Sequence, residues 1–206
     1  MRTRRRSLVA VAVVAMTAMS SLALDAQAAT AFPPGDPVFD FSYSVSASTH
    51  VKKLNQTITV PPGTFSGQID FVTNALVGRI VLPPATFTFA VAGIVPAAKA
   101  TARIVSTKPV VGHIDFSTLT VTATATFNVR IVSAYAPGIP LNLVGNSCVT
   151  SKPVSVTMKG VASFGAPSTF TGVYTLPDFA TCGTATTALN LLLPGPGNTF
   201  TAIATP

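Results

Sequence analysis

Residues 119 to 131 read LTVTATATFNVRI and alternate without interruption. Leu119, Val121, Ala123, Ala125, Phe127, Val129 and Ile131 share one face; Thr120, Thr122, Thr124, Thr126, Asn128 and Arg130 share the other. A period of two places successive side chains on opposite sides of an extended chain, so this stretch reads as an antiparallel strand with one face buried. Residues 38 to 48 repeat the pattern: Phe39, Phe41, Tyr43, Val45 and Ala47 alternate with Asp40 and four serines. Shorter runs of the same character lie at 57–60, 67–71, 77–82, 85–92, 99–106, 154–164, 169–176 and 199–204.

Proline punctuates these runs at Pro33-Pro34-Gly35, Pro61-Pro62-Gly63, Pro83-Pro84, Pro137-Gly138 and Pro194-Gly195-Pro196-Gly197. Proline has no amide to donate to a ladder and marks strand ends and edges. The expectation is an all-β fold, an antiparallel β-sandwich or flattened barrel of about 9–11 strands. Only one segment has helical spacing: after Gly183, Thr184 can cap a short C-terminal helix that carries Ala185, Leu189 and Leu192 and stops at Pro194.

An internal echo links the run at 67–71 to a later stretch. GQIDFVT at 67–73 returns as GHIDFST at 112–118, an offset of 45 that also maps Val60 onto Val105 and Gly93-Ile94 onto Gly138-Ile139. This suggests an internal duplication. Asp70 and Asp115 invite a reading as paired cation ligands, but a calcium site takes six to eight oxygens, and neither copy gathers further acids. Alternation puts both on the solvent face between inward Ile and Phe.

The first 28 residues read as an export signal. Arg2, Arg4, Arg5 and Arg6 precede an uncharged apolar stretch, and Ala26-Gln27-Ala28 supplies a small-x-small cleavage pattern, placing the cut between Ala28 and Ala29. The stretch is alanine-rich and broken by Thr17, Ser20 and Ser21, poorer than a retained span of about 20 apolar residues. Residues 29–206 are then a single secreted β-domain, extracellular or at the cell surface, without a transmembrane anchor after processing. Sec export is expected; Arg5-Arg6-Ser7-Leu8-Val9 leaves the twin-arginine route as the alternative.

Processing lowers the formal charge from +7 to +4. The remaining cations are Lys52, Lys53, Arg79, Lys99, Arg103, Lys108, Arg130, Lys152 and Lys159, scattered along the sequence with no aromatic interleaving. That argues against a nucleic-acid partner, which calls for a clustered basic stripe.

Catalytic chemistry is sparse. The chain has no glutamate, and the aspartates beyond the leader are Asp36, Asp40, Asp70, Asp115 and Asp178, with no pair nominated. His50 and His113 have no G-x-S-x-G serine to serve, and His113 with Asp115 makes two ligands where a zinc site needs more. The expectation is a non-enzyme with no cofactor and no metal. Cys148 and Cys182, an even pair in an exported chain, are expected to form a disulfide.

The segment CGTATTALNLLLPGPGN at 182–198 has the outline of a site. A phosphate loop needs a lysine that is missing. LPGPG has the outline of a wall-sorting motif, but Pro196 stands where threonine is required. A structural clasp remains: Cys182 staples the helix start to Cys148, and Pro194–Gly197 turns the chain into its last strand.

NLVGNSC (142–148), YTLPDFATCG (174–183) and LLLPGPGNTF (191–200) together resemble exported β-rich proteins of high-GC Gram-positive bacteria that carry a C-terminal cysteine pair and a G-P-G-N segment. The resemblance implies secretion and a disulfide and brings no catalytic residue with it. Two functions follow. The first is a structural or adhesive surface module of the cell envelope with hydroxyl-rich faces. The alternative is a carrier of an apolar, lipid-like ligand between the sheets, for which the small inward residues leave room. The partner is unknown; cell-envelope material and an apolar small molecule are the candidates. Whether the interior is filled or hollow separates the two.

Overall fold

The computed structural model describes residue 32 and residues 35–91, 95–163 and 165–206. The export signal, its cleavage residues Ala28 and Ala29, and Gly93-Ile94 of the echo lie outside the described residues. Among the described residues there are twelve strands and one short helical segment: β1 (Val38–Val51), β2 (Gln56–Asp70), β3 (Ala75–Val81), β4 (Ala85–Val91), β5 (Val95–Ser106), β6 (Val110–Asp115), β7 (Thr120–Tyr135), β8 (Val149–Thr150), β9 (Val154–Val161), β10 (Ser168–Leu176), β11 (Phe179–Ala180), α1 (Thr186–Leu192) and β12 (Gly195–Thr205).

Eight of the strands close an antiparallel barrel in the order β7-β6-β3-β2-β1-β12-β10-β9. Closure is made by β7 and β9, which pair from Thr120↔Val161 to Phe127↔Val154. The expected all-β barrel is therefore present, and β7 is its keystone. Its first half lies between β6 and β9; its second half pairs with β5. In that second half β4 and β5 continue the wall beyond the reach of β3 and β6.

The alternation is obeyed where strands stay regular. Val121, Ala123, Ala125, Phe127 and Ile131 are buried on the inner face of β7. Beyond Ile131 the burial phase slips: Val132 is exposed and Ala134 buried. The pairing shows why, since Thr101 faces Ser133 while Ala102 faces Ile131, leaving Val132 as the extra residue of a bulge.

A second bulge corrects the reading of Pro61-Pro62-Gly63 as a break. Runs 57–60 and 67–71 are one strand, β2. Val45 pairs with Gly63 and Ala47 with Val60, so both prolines bulge opposite Ser46, where missing amides cost no ladder bond. The run 110–115, not anticipated as a strand, is β6. The helix also differs from expectation. A 3-10 turn over Gly183–Ala185 leads into α1, and Thr184 makes no capping bond; the Thr186 hydroxyl donates to the Gly183 carbonyl at 2.8 Å instead.

The barrel's two ends are unlike. At the end where β1 stops and β12 starts, α1 buries Leu189, and Leu193 follows it into the core. Cys148 and Cys182 form the expected disulfide and are both fully buried. Around them two asparagine side chains imitate strands. Asn190 accepts from the Phe179 amide and donates to the Phe179 carbonyl, at 2.7 and 3.0 Å. Asn142 accepts from the Ala134 amide at 2.9 Å and donates to the Val132 carbonyl at 3.3 Å. Asn198, buried, accepts from the Lys52 amide at 3.0 Å and donates to the Gly195 carbonyl at 2.8 Å. The G-P-G-N segment thus opens β12 and ties it to the β1–β2 turn.

Candidate functional site

The opposite end of the barrel collects the β2–β3 and β6–β7 hairpins, the start of β1 and the ends of β9 and β12. Its two hairpin turns are the two copies of the echo, built alike. Asp70 accepts from the Val72 amide at 2.8 Å and the Thr73 hydroxyl at 2.5 Å. Asp115 accepts from the Ser117 amide at 2.9 Å and the Thr118 hydroxyl at 3.0 Å. Four residues after each aspartate the backbone turns left-handed, at Asn74 (φ 60°) and Leu119 (φ 55°). A short side chain that bonds its own backbone two residues on is what such turns use.

The expectation that both aspartates face solvent is corrected here. Asp70 has no accessible surface, and Asp115 is half-buried. The Pro37 carbonyl accepts from the Phe71 amide at 3.2 Å, which lays the segment before β1 against this turn. The carboxylates bind their own hairpins. The Thr73 hydroxyl holds Asp70 below the usual carboxylate range against the opposing pull of burial, with the Val72 and Thr73 amides adding to it. Asp115 is lowered in the same way, first by the Ser117 hydroxyl, then by the Ser117 amide and the Thr118 hydroxyl.

The echo holds at the hairpins and not at its outlying match, since Val60 is buried and Val105 exposed. Its second shared element is the phenylalanine after each aspartate. Phe71 and Phe116 come together with ring centroids 5.2 Å apart, and Phe39 stands 6.4 Å from Phe71. Phe39 is 45 % exposed and Phe71 48 %, with Val72 and Val161 also exposed at this end. The inward position expected for Phe39 is therefore replaced by one on the rim. Phenylalanines that alternation assigned to the inner face form an aromatic lip.

Inside the lip lies a cavity of about 100 Å³. Phe39 and Ser163, both exposed, line it, so it reaches the barrel end. Its walls are Phe41, Phe65, Phe170, Ile114, Met158 and other apolar residues; its only side-chain polar groups are the hydroxyls of Tyr43, Ser163 and Ser168. Eight strands leave an interior just wide enough to be filled by side chains or to hold one small ligand. Here Ala123, Ala202 and Ala204 face inward and the wall falls short of filling it. A smaller void of about 70 Å³ lies in the closed half, around Tyr174 and Phe200. There the Tyr174 hydroxyl meets the Thr49 hydroxyl at 2.7 Å.

The remaining singled-out residues do not converge on this site. His113 is exposed on β6 opposite Thr122 and Ala75, and His50 lies with its ring 3.4 Å from the Thr57 hydroxyl. Among the described residues no three His, Cys, Asp or Glu side chains are grouped to hold a metal ion. No helix among them is long and apolar enough to cross a membrane. No family model matches the chain, and comparison with curated proteins and with solved structures finds none that matches.

Proposed function

We propose that this protein is an exported, non-catalytic binding module whose barrel takes up the apolar end of a small lipid-like molecule. The observation that carries the reading is the uncharged cavity behind the aromatic lip. An apolar void of about 150 Å³ stays dry and holds a benzene ring. A cavity of about 100 Å³ admits the end of an alkyl chain or a short branched group, leaving the rest of the ligand on Phe39, Phe71 and Phe116. Removal of that surface from water supplies about 25 cal/mol per Å². Export fits the disulfide, which persists in oxidising compartments.

The test is organic extraction of the folded, disulfide-intact protein followed by mass spectrometry. The expected result is an apolar compound, in stoichiometric amount, released on unfolding. Protein that is clean, and that takes up no compound when incubated with a lipid extract, would overturn this reading. It would leave the structural or adhesive surface module, which the exposed Phe39, Phe71 and Val72 also support.

A further inference from the structure

The cations that look scattered in sequence are not scattered in space. Arg79 of β3, Arg103 of β5, Lys108 of the β5–β6 link and Arg130 of β7 line one groove of about 720 Å³ on the outer wall. A single carboxylate, Asp40, lines it with them, and Asp40 already accepts from the Gln68 side-chain Nε2 at 2.9 Å. Arg103 and Arg130 are direct cross-strand partners. Like charges placed directly opposite destabilise a ladder, so the fold carries a repulsion that an anion in the groove would relieve.

The groove exists because the wall has a seam. β3 leaves β6 after Gly78↔Val110, so Arg79–Val81 is paired only with β2. β4 begins at Ala85↔Ala102, so Arg103–Ser106 is paired only with β7. The two edges face each other without a ladder, bridged by the Ser106 hydroxyl, which donates to the Ile80 carbonyl at 3.3 Å. Guanidinium groups on both edges offer forked donors suited to phosphoryl oxygens. Three strands at about 4.8 Å per ladder spacing put Arg79 and Arg130 about 10 Å or more apart along the wall. A row of cations spread over that width can engage more than one phosphoryl group at once.

We infer that this seam is a binding site for a ligand presenting two or more phosphoryl groups, held between Arg79, Arg103 and Arg130 with Lys108 at its end. The inference is independent of the barrel cavity. The groove's one aromatic, Phe41, is buried, so the seam has no platform on which bases stack. The same chemistry reaches the site from a free oligophosphate or from clustered phosphodiester headgroups of an anionic lipid.

Calorimetry with sodium tripolyphosphate, and co-sedimentation with vesicles of phosphatidylglycerol mixed with phosphatidylcholine, separate the two sources. Arg79→Gln/Arg103→Gln, the single change Lys108→Gln and the control Lys152→Gln, outside the groove lining, are compared with the unmodified protein. Arg130 is left in place because its guanidinium donates to the Asn146 carbonyl. Binding is expected to fall about tenfold for each guanidinium removed, less for Lys108→Gln, and not for Lys152→Gln. Removing Arg103 also removes the like-charge pair, so the double variant is expected to melt no lower than the unmodified protein. Tripolyphosphate binding lost in the double variant supports a free oligophosphate; vesicle binding alone, lost likewise, supports a headgroup. Binding of neither probe, or binding that survives the double variant, overturns the inference.

Discussion

Asp70 is the residue at which alternation misleads most and chemistry explains most. Period two gives it an outward direction, yet it is fully buried, next to Phe71, whose amide donates to the Pro37 carbonyl. Burial is tolerated because the turn itself supplies the carboxylate's donors. Its folded pKa lies below the ordinary value, so its stabilisation is fully present above about pH 4 and fades as pH falls through the lowered value. Asp70→Asn is therefore expected to melt lower than the unmodified protein at neutral pH, with a gap that narrows in acid. Thermal melts from pH 7 to pH 2 check this, and a gap that does not change with pH would contradict it. Gly67, in the same copy of the echo, faces Gly78 across the ladder; a Cβ there would collide with the Val77 carbonyl oxygen. Gly67→Ala is expected to cost about 1–3 kcal/mol in chemical denaturation, and Gly145→Ala, with its nearest neighbour at 3.7 Å, less than about 0.5 kcal/mol.

Elements were legible in the sequence wherever one residue in two meets the core. Strands β1, β3, β4, β5, β7, β9, β10 and β12 all contain runs visible in the alternation. The misses have a common cause in pairing, which one strand's sequence does not contain. Pro61-Pro62 reads as an end because prolines break ladders, yet a bulge opposite Ser46 absorbs both. The two-residue β8 and β11 exist because β8 pairs with both β11 and β7, beside the disulfide. The C-terminal clasp is the part read best: the disulfide is present, and Asn198 adds a tie that no pattern announced. Replacing both cysteines by serine is expected to cost about 3–4 kcal/mol through the freed loop. Asn198→Ala leaves the Lys52 amide without its acceptor at a cost of about 1–3 kcal/mol. Urea unfolding of the two variants measures both; a cost near zero for Asn198→Ala would show that the β1–β2 turn is held by other contacts.

At the scale of the molecule the barrel is a cup, closed by α1 and the disulfide at one end and lipped by phenylalanines at the other. The sequence made a sandwich or a barrel equally acceptable, because the choice rests on the β7–β9 pairing that closes the ring. The lip and the basic seam were illegible for the same reason: each gathers residues from strands distant in the chain. The small inward residues that suggested a cavity were legible, and Ala123 and Ala202 do line one. The direct test of the cup is equilibrium binding of the fluorescent fatty acid cis-parinaric acid, whose apolar chain end matches the cavity, to the unmodified protein, Ala123→Leu, Ala202→Leu and Thr122→Leu. The last adds similar bulk to the outer face of the same strand as Ala123. Saturable binding that is lost in both inward variants and kept in Thr122→Leu is the result a ligand-holding barrel predicts. No binding, or binding unchanged when the interior is filled, would contradict it.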